Sequence, residues 1–377
     1  MKKVLLFLSF MALVSTSAKA FETSARNAIL VDFETGTYLY AKNEADQMPP
    51  ASMSKLMTVY IIFDKLKAGL LSFDDEFTVS ENAWRKGGAA SGGSTMFLKI
   101  GENVKVDDLL RGIIVQSGND ACIVAAENIA GSEEDFAVLM NETAQKIGLK
   151  NSVFANSTGL PDENQLMSAE DLAILARAII KDFGEYYHIF QEKEFTHNGI
   201  KQGNRNPLLY SMSGADGLKT GHTEEAGFCL TGSAVKNGRR LIEVIAGLES
   251  NKARSDEAER LMSYGFREFK NYQLFKKGDV VGAVPVWYGK EKSVEMVVPF
   301  DVVKTLKKNG AKGYQFKLVY NEPITAPVKK GAVIGKIEVI SPDGDIENIN
   351  VVAAKDVAKV GIFKRIIENA KYYLKGR

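Results

Sequence analysis

Met48-Pro49-Pro50-Ala51-Ser52-Met53-Ser54-Lys55-Leu56-Met57-Thr58-Val59-Tyr60-Ile61-Ile62 is the stretch around which the chain is organised. Pro49 and Pro50 suit the entry to a helix and cannot lie inside one. The ten residues after Ser52 contain no Gly or Pro and are mostly apolar. They predict a buried helix whose first turn carries Ser52. Ser52 and Lys55 are three apart, which puts their side chains on one helix face. A Ser at a helix N-terminus sits in the positive end of the helix dipole. A Lys one turn on, against a greasy helix, is desolvated and loses its proton more easily. A neutral amine beside a hydroxyl is a nucleophile with its general base. In isolation the same four residues read as a capping Ser and a surface Lys, because S-x-x-K is frequent by chance.

The whole chain bounds that choice. It has 377 residues, 45% hydrophobic and 25% charged, an ordinary globular composition long enough for two domains. Lys2 and Lys3, the apolar run Val4 to Val14, and Ala18-Lys19-Ala20 form a secretory leader, with Phe21 as the mature N-terminus. The apolar run is too short to span a bilayer, so the chain is expected to be exported. The formal net charge of +1 becomes −2 once the three leader lysines are removed, and nothing global suggests nucleic acid. From Lys359 onward the balance is +5, which leaves the body near −7. Two cysteines, Cys122 and Cys229, lie in apolar segments and read as buried thiols rather than a disulfide framework. Three histidines, no H-E-x-x-H and no Cys/His cluster give no reason to expect a metal or cofactor.

Outward from the Ser52 helix, Asn27–Asp32 and Tyr38–Ala41 flank Glu34-Thr35-Gly36-Thr37 and predict a hairpin. Residues 72–105 are polar and Gly-rich and predict loops and short strands along one rim of a site. Amphipathic periodicity predicts helices at Val106–Val115, Ala121–Ile129, Glu133–Ile147 and Ala169–Ile180, the last entered through a Ser168/Asp171 cap. Strands return at Phe228–Val235 and Leu241–Leu248, joined by Asn237-Gly238, a strong two-residue hairpin turn. Arg254–Phe269 closes the unit as a helix. The order hairpin, helical insert, hairpin, helix reads as one mainly antiparallel sheet with helices packed on it. Beyond Phe275, Val-rich segments at 280–288, 293–299, 315–320 and 332–340 read as a small all-β domain. At the end, Phe363, Ile366, Ile367, Ala370, Tyr373 and Leu374 fall at three-four spacing, with Lys364, Arg365, Lys371 and Lys375 off that stripe. That is the pattern of a helix lying in an anionic membrane interface, too short and too charged to span it. The expected division is leader 1–20, main domain 21–273, β domain 274–358 and anchoring helix 359–377.

Two more short motifs carry chemistry. Ser117-Gly118-Asn119 falls on the break between two helices, where polar side chains can point into a cleft. Ser117 can relay a proton to a leaving amine, and Asn119 can donate to a substrate amide. Lys219-Thr220-Gly221 precedes a strand; Gly221 lets a substrate backbone approach closely. A Lys219 ammonium near Lys55 disfavours a second positive charge there and offers one to a carboxylate ligand. The backbone N–H groups of Ser52 and His222 suit an oxyanion hole. S-x-x-K, S-x-N and K-T-G in this order resemble the signature of class A β-lactamases and penicillin-binding proteins.

The longer matches narrow the resemblance. Pro50–Thr58, Asn198–Asn206, Asp216–Thr223 and Trp287-Tyr288-Gly289 resemble the serine-type D-Ala-D-Ala carboxypeptidases, the low-molecular-mass penicillin-binding proteins of the type-5 group, over nearly the whole mature chain. The resemblance implies an α/β serine β-lactamase/DD-peptidase-like domain. It implies Ser52 as the acylated nucleophile, Lys55 as base, Ser117 and Asn119 as second-motif partners, and Lys219, with Thr220, Gly221 and His222, as the substrate-binding segment. By position, Arg205 and Arg254 match family arginines near the substrate carboxylate. The implied reaction removes the terminal D-Ala from peptidoglycan stem pentapeptides and so limits cross-linking. The implied inhibitors are β-lactams, and the implied location is the periplasmic face of the cytoplasmic membrane. One departure stands out: where the family often has a His before Gly-Leu, this chain has Asn156-Ser157-Thr158-Gly159-Leu160, so that loop's part in deacylation does not carry over. Two alternatives fit less of the chain. A class A β-lactamase needs a Glu and an Asn four apart near 148–165 and has no use for residues 275–377. A non-catalytic β-lactam sensor or cell-wall binding protein needs a transmembrane segment.

Overall fold

The structure, a computed structural model, describes residues 21–308, 310 and 312–374. The expected leader and the last three residues lie outside that range.

The chain opens with β1 (Asn27–Asp32) and β2 (Tyr38–Lys42), the expected hairpin. A 3-10 turn, Ala51–Ser54, leads into α1 (Lys55–Lys67). Nearly every residue of α1 is buried, as an all-round apolar helix requires. The Gly-rich rim contains β3 (Glu76–Thr78) and β4 (Asn103–Lys105), paired with each other. It also contains α2 (Glu81–Gly87), where the polar, Gly-rich composition predicts loops and short strands. Ser80 caps α2 by accepting from the Ala83 N–H, and glycines close the helix after two turns.

The helical insert follows as α3 (Val106–Ile114), α4 (Asn119–Ala130), α5 (Glu133–Ile147) and α6 (Ala169–Asp182). Ser168 accepts from the Asp171 N–H, the expected cap of α6. A hairpin of β5 (Glu194–His197) and β6 (Ile200–Gly203) and a short helix, α7 (Leu208–Ser211), come next. The unit ends with β7 (Ala215–Thr223), β8 (Gly227–Lys236), β9 (Arg239–Leu248) and α8 (Asn251–Glu268). Asn237 and Gly238 both have positive φ, 53° and 76°, as the two-residue hairpin turn demands.

Five strands form one antiparallel sheet in the order β2-β1-β9-β8-β7. Alternation along its strands divides two cores. Ile29 and Val31 of β1, with Ile242 and Val244 of β9, face α1, α3, α4 and α6. Leu30, Leu241 and Ile245 face α8, against Leu261 and Met262. β7 was not expected as a strand. Its sequence, Ala-Asp-Gly-Leu-Lys-Thr-Gly-His-Thr, lacks an apolar run, and its pairing with β8 makes it one. Lys219-Thr220-Gly221 therefore lies within this edge strand rather than before it.

The second domain adds β10 (Phe269–Phe275), β11 (Val280–Trp287), β12 (Ser293–Val297), β13 (Val302–Lys307), β14 (Gln315–Val319), β15 (Ile324–Thr325), β16 (Val333–Ile340) and β17 (Ile346–Ala353). Six of these form one sheet in the order β14-β16-β17-β12-β11-β15, with its own core around Val284, Met296, Ile337 and Val351. β10 pairs with β13, so the expected boundary at 273/274 falls inside a strand. The chain ends in α9 (Ile362–Leu374), which lies within the expected span. Among the described residues, no helix is long and apolar enough to cross a membrane.

Candidate active site

Three loci far apart in the chain converge at the free edge of β7. Ala51, in the left-handed region at φ 48°, turns the chain into the Ser52 segment. Gly159 packs directly on that turn: a Cβ there would lie 1.9 Å from the Ala51 carbonyl oxygen, and its own φ is 77°. Gly221 packs on the other side. A Cβ on it would come within 3.0 Å of the Pro50 oxygen and 3.1 Å of Ala51 Cβ, so its bareness lets β7 lie against the Ser52 turn. The close approach is to the protein's own turn, a different use of Gly221 from the substrate contact read from the sequence.

Lys55 is fully buried, and its Nζ reaches three oxygens: Ser52 Oγ at 2.9 Å, Asn119 Oδ1 at 2.7 Å and the Thr158 carbonyl at 2.5 Å. The last two can only accept. When the ammonium loses a proton, its two remaining N–H bonds stay on them, and the lone pair faces Ser52 Oγ. Burial is the main cause that brings the Lys55 pKa down to about 8; Cys122 opposes it, the Arg205 charge acts with it, and Asp120 opposes it more weakly. Arg205 is a cation acting on Lys55 that the sequence reading did not name, beside the repulsion between Lys55 and Lys219.

Ser117 sits at φ 62° on the α3–α4 break, as expected, with its Oγ accepting from Lys219 Nζ at 2.9 Å. Lys219 is buried beneath the cleft and also donates to the Thr220 carbonyl at 3.1 Å. Burial, then the Lys55 and Arg205 charges, push its pKa well below the ordinary lysine value. Its place is behind Ser117. The strand residues that line the cleft are Thr220, Gly221, His222 and Thr223. Since Asn119 gives its Oδ1 to Lys55, its amide N–H groups are left for the cleft it lines.

The cleft has a volume of about 390 Å³ and is bounded by Ser52, Ser117 and Asn119, by Gly92-Gly93-Ser94 of the rim, by Thr158-Gly159-Leu160, and by Arg205 and Arg254 at one end. Arg205 donates to Ser94 Oγ. Arg254, on α8, is 6% exposed; it donates to Asn251 Oδ1 at 2.5 Å, and burial lowers its pKa to about 10. His222 is exposed, its ring 3.9 Å from that of Phe228. All ten residues singled out in the sequence lie in or directly behind this cleft.

Sequence reasoning missed what holds these residues. Asp120 is buried and accepts from Thr95 Oγ1 and from the Met96 and Leu98 N–H groups, which pins the rim loop to the start of α4. Asn156 Oδ1 accepts from the Thr158 and Gly159 N–H groups and from Thr158 Oγ1, which aims the Thr158 carbonyl at Lys55. The loop that departs from the family pattern thus orients the base through its backbone. Asp120 stands beside a recognised motif, which is a signal; the Thr158 carbonyl leaves none in the sequence. Cys122 and Cys229 are buried and free.

Comparison with known proteins agrees with this geometry. Residues 14–250 match the family model for D-alanyl-D-alanine carboxypeptidase, and 269–359 match that for the C-terminal domain of penicillin-binding protein 5. The chain is 39% identical over 348 residues to D-alanyl-D-alanine carboxypeptidase DacD of Escherichia coli (strain K12), covering 92% of this chain and 90% of that one. It is 38% identical over 379 residues to DacA of Haemophilus influenzae, covering 97% and 95%. The crystal structure of penicillin-binding protein 5 from Haemophilus influenzae superposes with a TM-score of 0.82 at 37% identity, over 90% of this chain and 99% of that one. A Ser–Lys pair at the edge of an antiparallel sheet, a following β domain and relatives matched along almost their full length lead to one family: the chain belongs to the D-alanyl-D-alanine carboxypeptidases, as a serine peptidase like penicillin-binding protein 5.

Proposed function

We propose that Ser52 carries the carboxypeptidase reaction as an acyl-enzyme, with Lys55 as its base. The observation that carries this is the Lys55 hydrogen-bond set, in which two acceptor-only oxygens leave the amine lone pair facing Ser52 Oγ. Ser52 Oγ attacks the carbonyl between the two terminal D-alanines of a stem pentapeptide, and its proton passes to Lys55. The Ser52 and His222 N–H groups receive the oxyanion. Asn119 donates to the peptide amide. The C–N bond breaks, and the leaving amine takes a proton from Ser117, which Lys219 resupplies. Arg205, Arg254 and Thr220 hold the terminal carboxylate. Water then hydrolyses the ester and frees the shortened peptide. A β-lactam acylates Ser52 by the same attack; its leaving nitrogen stays tethered to the acyl group, so the ester persists.

The anchoring reading belongs to the same proposal. Ile362, Phe363, Ile366 and Ile367 of α9 are 54–86% exposed, so the apolar stripe is free of the protein's own core. Together with the leader, this supports an exported enzyme held peripherally at the outer face of the cytoplasmic membrane.

Labelled penicillin and a synthetic stem pentapeptide test the site. Ser52→Ala is expected to lose both covalent labelling and D-Ala release while keeping its fold. Covalent labelling that persists in the variant would remove Ser52 as the nucleophile.

A further inference from the structure

The β domain holds a cavity of about 730 Å³, remote from the catalytic cleft. Strands β14 and β15 stand at opposite ends of the sheet order, yet Val319 of one and Ile324 of the other line the same space. The cavity is therefore the gap where the curled sheet fails to close. Val319 with Lys336 is the last pair between β14 and β16, so Val333 to Gly335 run along the gap without β14 beside them. The wall is apolar, formed by Tyr320, Ile324, Pro327, Val333 and Ile334, with Val333 61% exposed. Two charged residues, Lys329 and Lys336, line the gap, and among the described residues no carboxylate does. Each lysine meets one acid outside it, Asp356 at 3.9 Å and Glu338 at 2.9 Å. The surroundings keep a positive excess: residues 269–358 hold fourteen lysines and ten acids, net +4, while residues 21–268 stand at −11. The cavity also lies at the end of the domain from which α9 departs. Thr325 pairs with Trp287, and the next carbonyl, that of Tyr288, accepts from the Val360 N–H at 2.8 Å. Val328 and Val357 exchange backbone bonds at 3.0 and 2.8 Å just before α9 begins.

We propose that this cavity seats one phospholipid with an anionic headgroup, taken from the bilayer surface in which α9 lies. The phosphate sits between Lys329 and Lys336, and the upper part of an acyl chain covers Tyr320, Ile324 and Val333. A cationic rim joined to an apolar wall suits a ligand that carries phosphate and hydrocarbon together. The position beside the root of α9 turns this end of the domain toward the membrane, which favours a lipid over a soluble anion. One seated lipid is too small a contact to hold the protein, because a single acyl chain gives only marginal binding. Its effect is on orientation. A helix joined to the domain near Tyr288 leaves the domain free to tilt, and a second contact beside it fixes that tilt. This inference rests on the membrane reading of α9 given above.

The test uses the mature chain carrying Trp84→Phe, which leaves Trp287 as its single tryptophan, next to the cavity through Thr325. The probe is short-chain phosphatidylglycerol with brominated acyl chains, kept below its micelle concentration, and phosphatidylcholine of the same chains is its control. Sedimentation with anionic vesicles is measured beside it. The phosphatidylglycerol is expected to quench Trp287 saturably and the phosphatidylcholine to do so far more weakly. Replacing Lys329 and Lys336 together by Gln is expected to weaken that binding by about tenfold or more, since each lysine at a lipid phosphate contributes on that scale. Replacing Lys276 and Lys277 by Gln removes the same charge at the other end of β11 and is expected to change it by less than about twofold, the distance being screened by salt. No saturable quenching by a protein that still sediments with vesicles overturns the lipid seat and leaves the α9 anchor standing. Equal quenching by both lipids, or equal loss in both lysine pairs, overturns the assignment to this cavity. A concentration-dependent dimer that Val333→Asp dissolves gives the cavity to a second copy of the chain and overturns the lipid. A wild type that ignores vesicles overturns the anchoring reading and this inference together.

Discussion

Lys55 sets the chemistry at the scale of single residues, because it must be neutral when Ser52 attacks. With its pKa brought to about 8 by burial and the Arg205 charge, the amine fraction grows as pH rises. The acylation rate by penicillin is therefore expected to climb with pH and level off above about 8; a profile flat from pH 6 to 10 would rule out this base. Lys55→Arg keeps the charge but cannot give up its proton. It is expected to slow acylation by about 10²–10⁴-fold, the usual worth of a positioned base, read by stopped-time labelling. A different buried group governs stability. Glu243, in the middle of β9, is fully buried with both carboxyl oxygens unpartnered, and burial raises its pKa well above 4.5. The folded state keeps the proton while the unfolded chain loses it near pH 4.5. The group's contribution to stability is thus complete below that pH and falls as pH rises toward the folded value. Glu243→Met fills similar volume with no polar atom to strand. It is expected to raise the melting temperature at pH 7 by a few degrees, for about 1–3 kcal/mol of relieved burial cost, and to flatten the fall of stability as pH rises above 4.5.

Among the elements, α9 is held at one point and free along one face. The Tyr288 hydroxyl donates to Asn369, and the Val360 N–H bonds to the Tyr288 carbonyl at 2.8 Å, so the helix starts from a fixed base on the β domain. Lys359 sits 5.9 Å from the Tyr288 ring centre. Phe363, at 86% exposure, belongs to a face that the described residues leave uncovered. Basic residues at an anionic surface contribute roughly 1 kcal/mol each, weakened by salt. Truncation after Ala358 is expected to abolish sedimentation with anionic vesicles and leave D-Ala release unchanged. A full-length mature protein that ignores such vesicles, or a truncation that unfolds the β domain, would make α9 a structural helix. The edge strand β7 matters in a different way. Its outer side is left unpaired by the sheet order, and that is the side on which the cleft opens.

Taken whole, the molecule is two domains joined by a thin seam. Thr35 and Thr305 hydroxyls meet at 2.6 Å, Asn271 Nδ2 donates to Glu34 Oε2 at 3.0 Å, and Arg239 Nη1 donates to the Phe269 carbonyl at 2.9 Å. The apolar cores on either side share no residues. Since β10 belongs with β13, we place the division at the end of α8. Residues 21–268 alone are expected to fold and to label with penicillin within about fivefold of the mature chain, because among the described residues no cleft residue lies beyond Arg254. A labelling rate reduced by orders of magnitude would mean that the β domain shapes the cleft. The amino-acid sequence by itself determined the helices of the insert, the Asn237-Gly238 hairpin, the cap of α6 and the three motifs in their order. All of these are written in residues a few positions apart, where periodicity and turn chemistry act. Tertiary structure alone decided that β7 is a strand, that Thr158 offers its carbonyl to Lys55 across 103 residues, and that Lys219 reaches Ser117 across 102. It also decided that Glu243 has no partner. Each of these depends on which surfaces pack together and exclude water, and burial, unlike periodicity, is a property of the closed molecule.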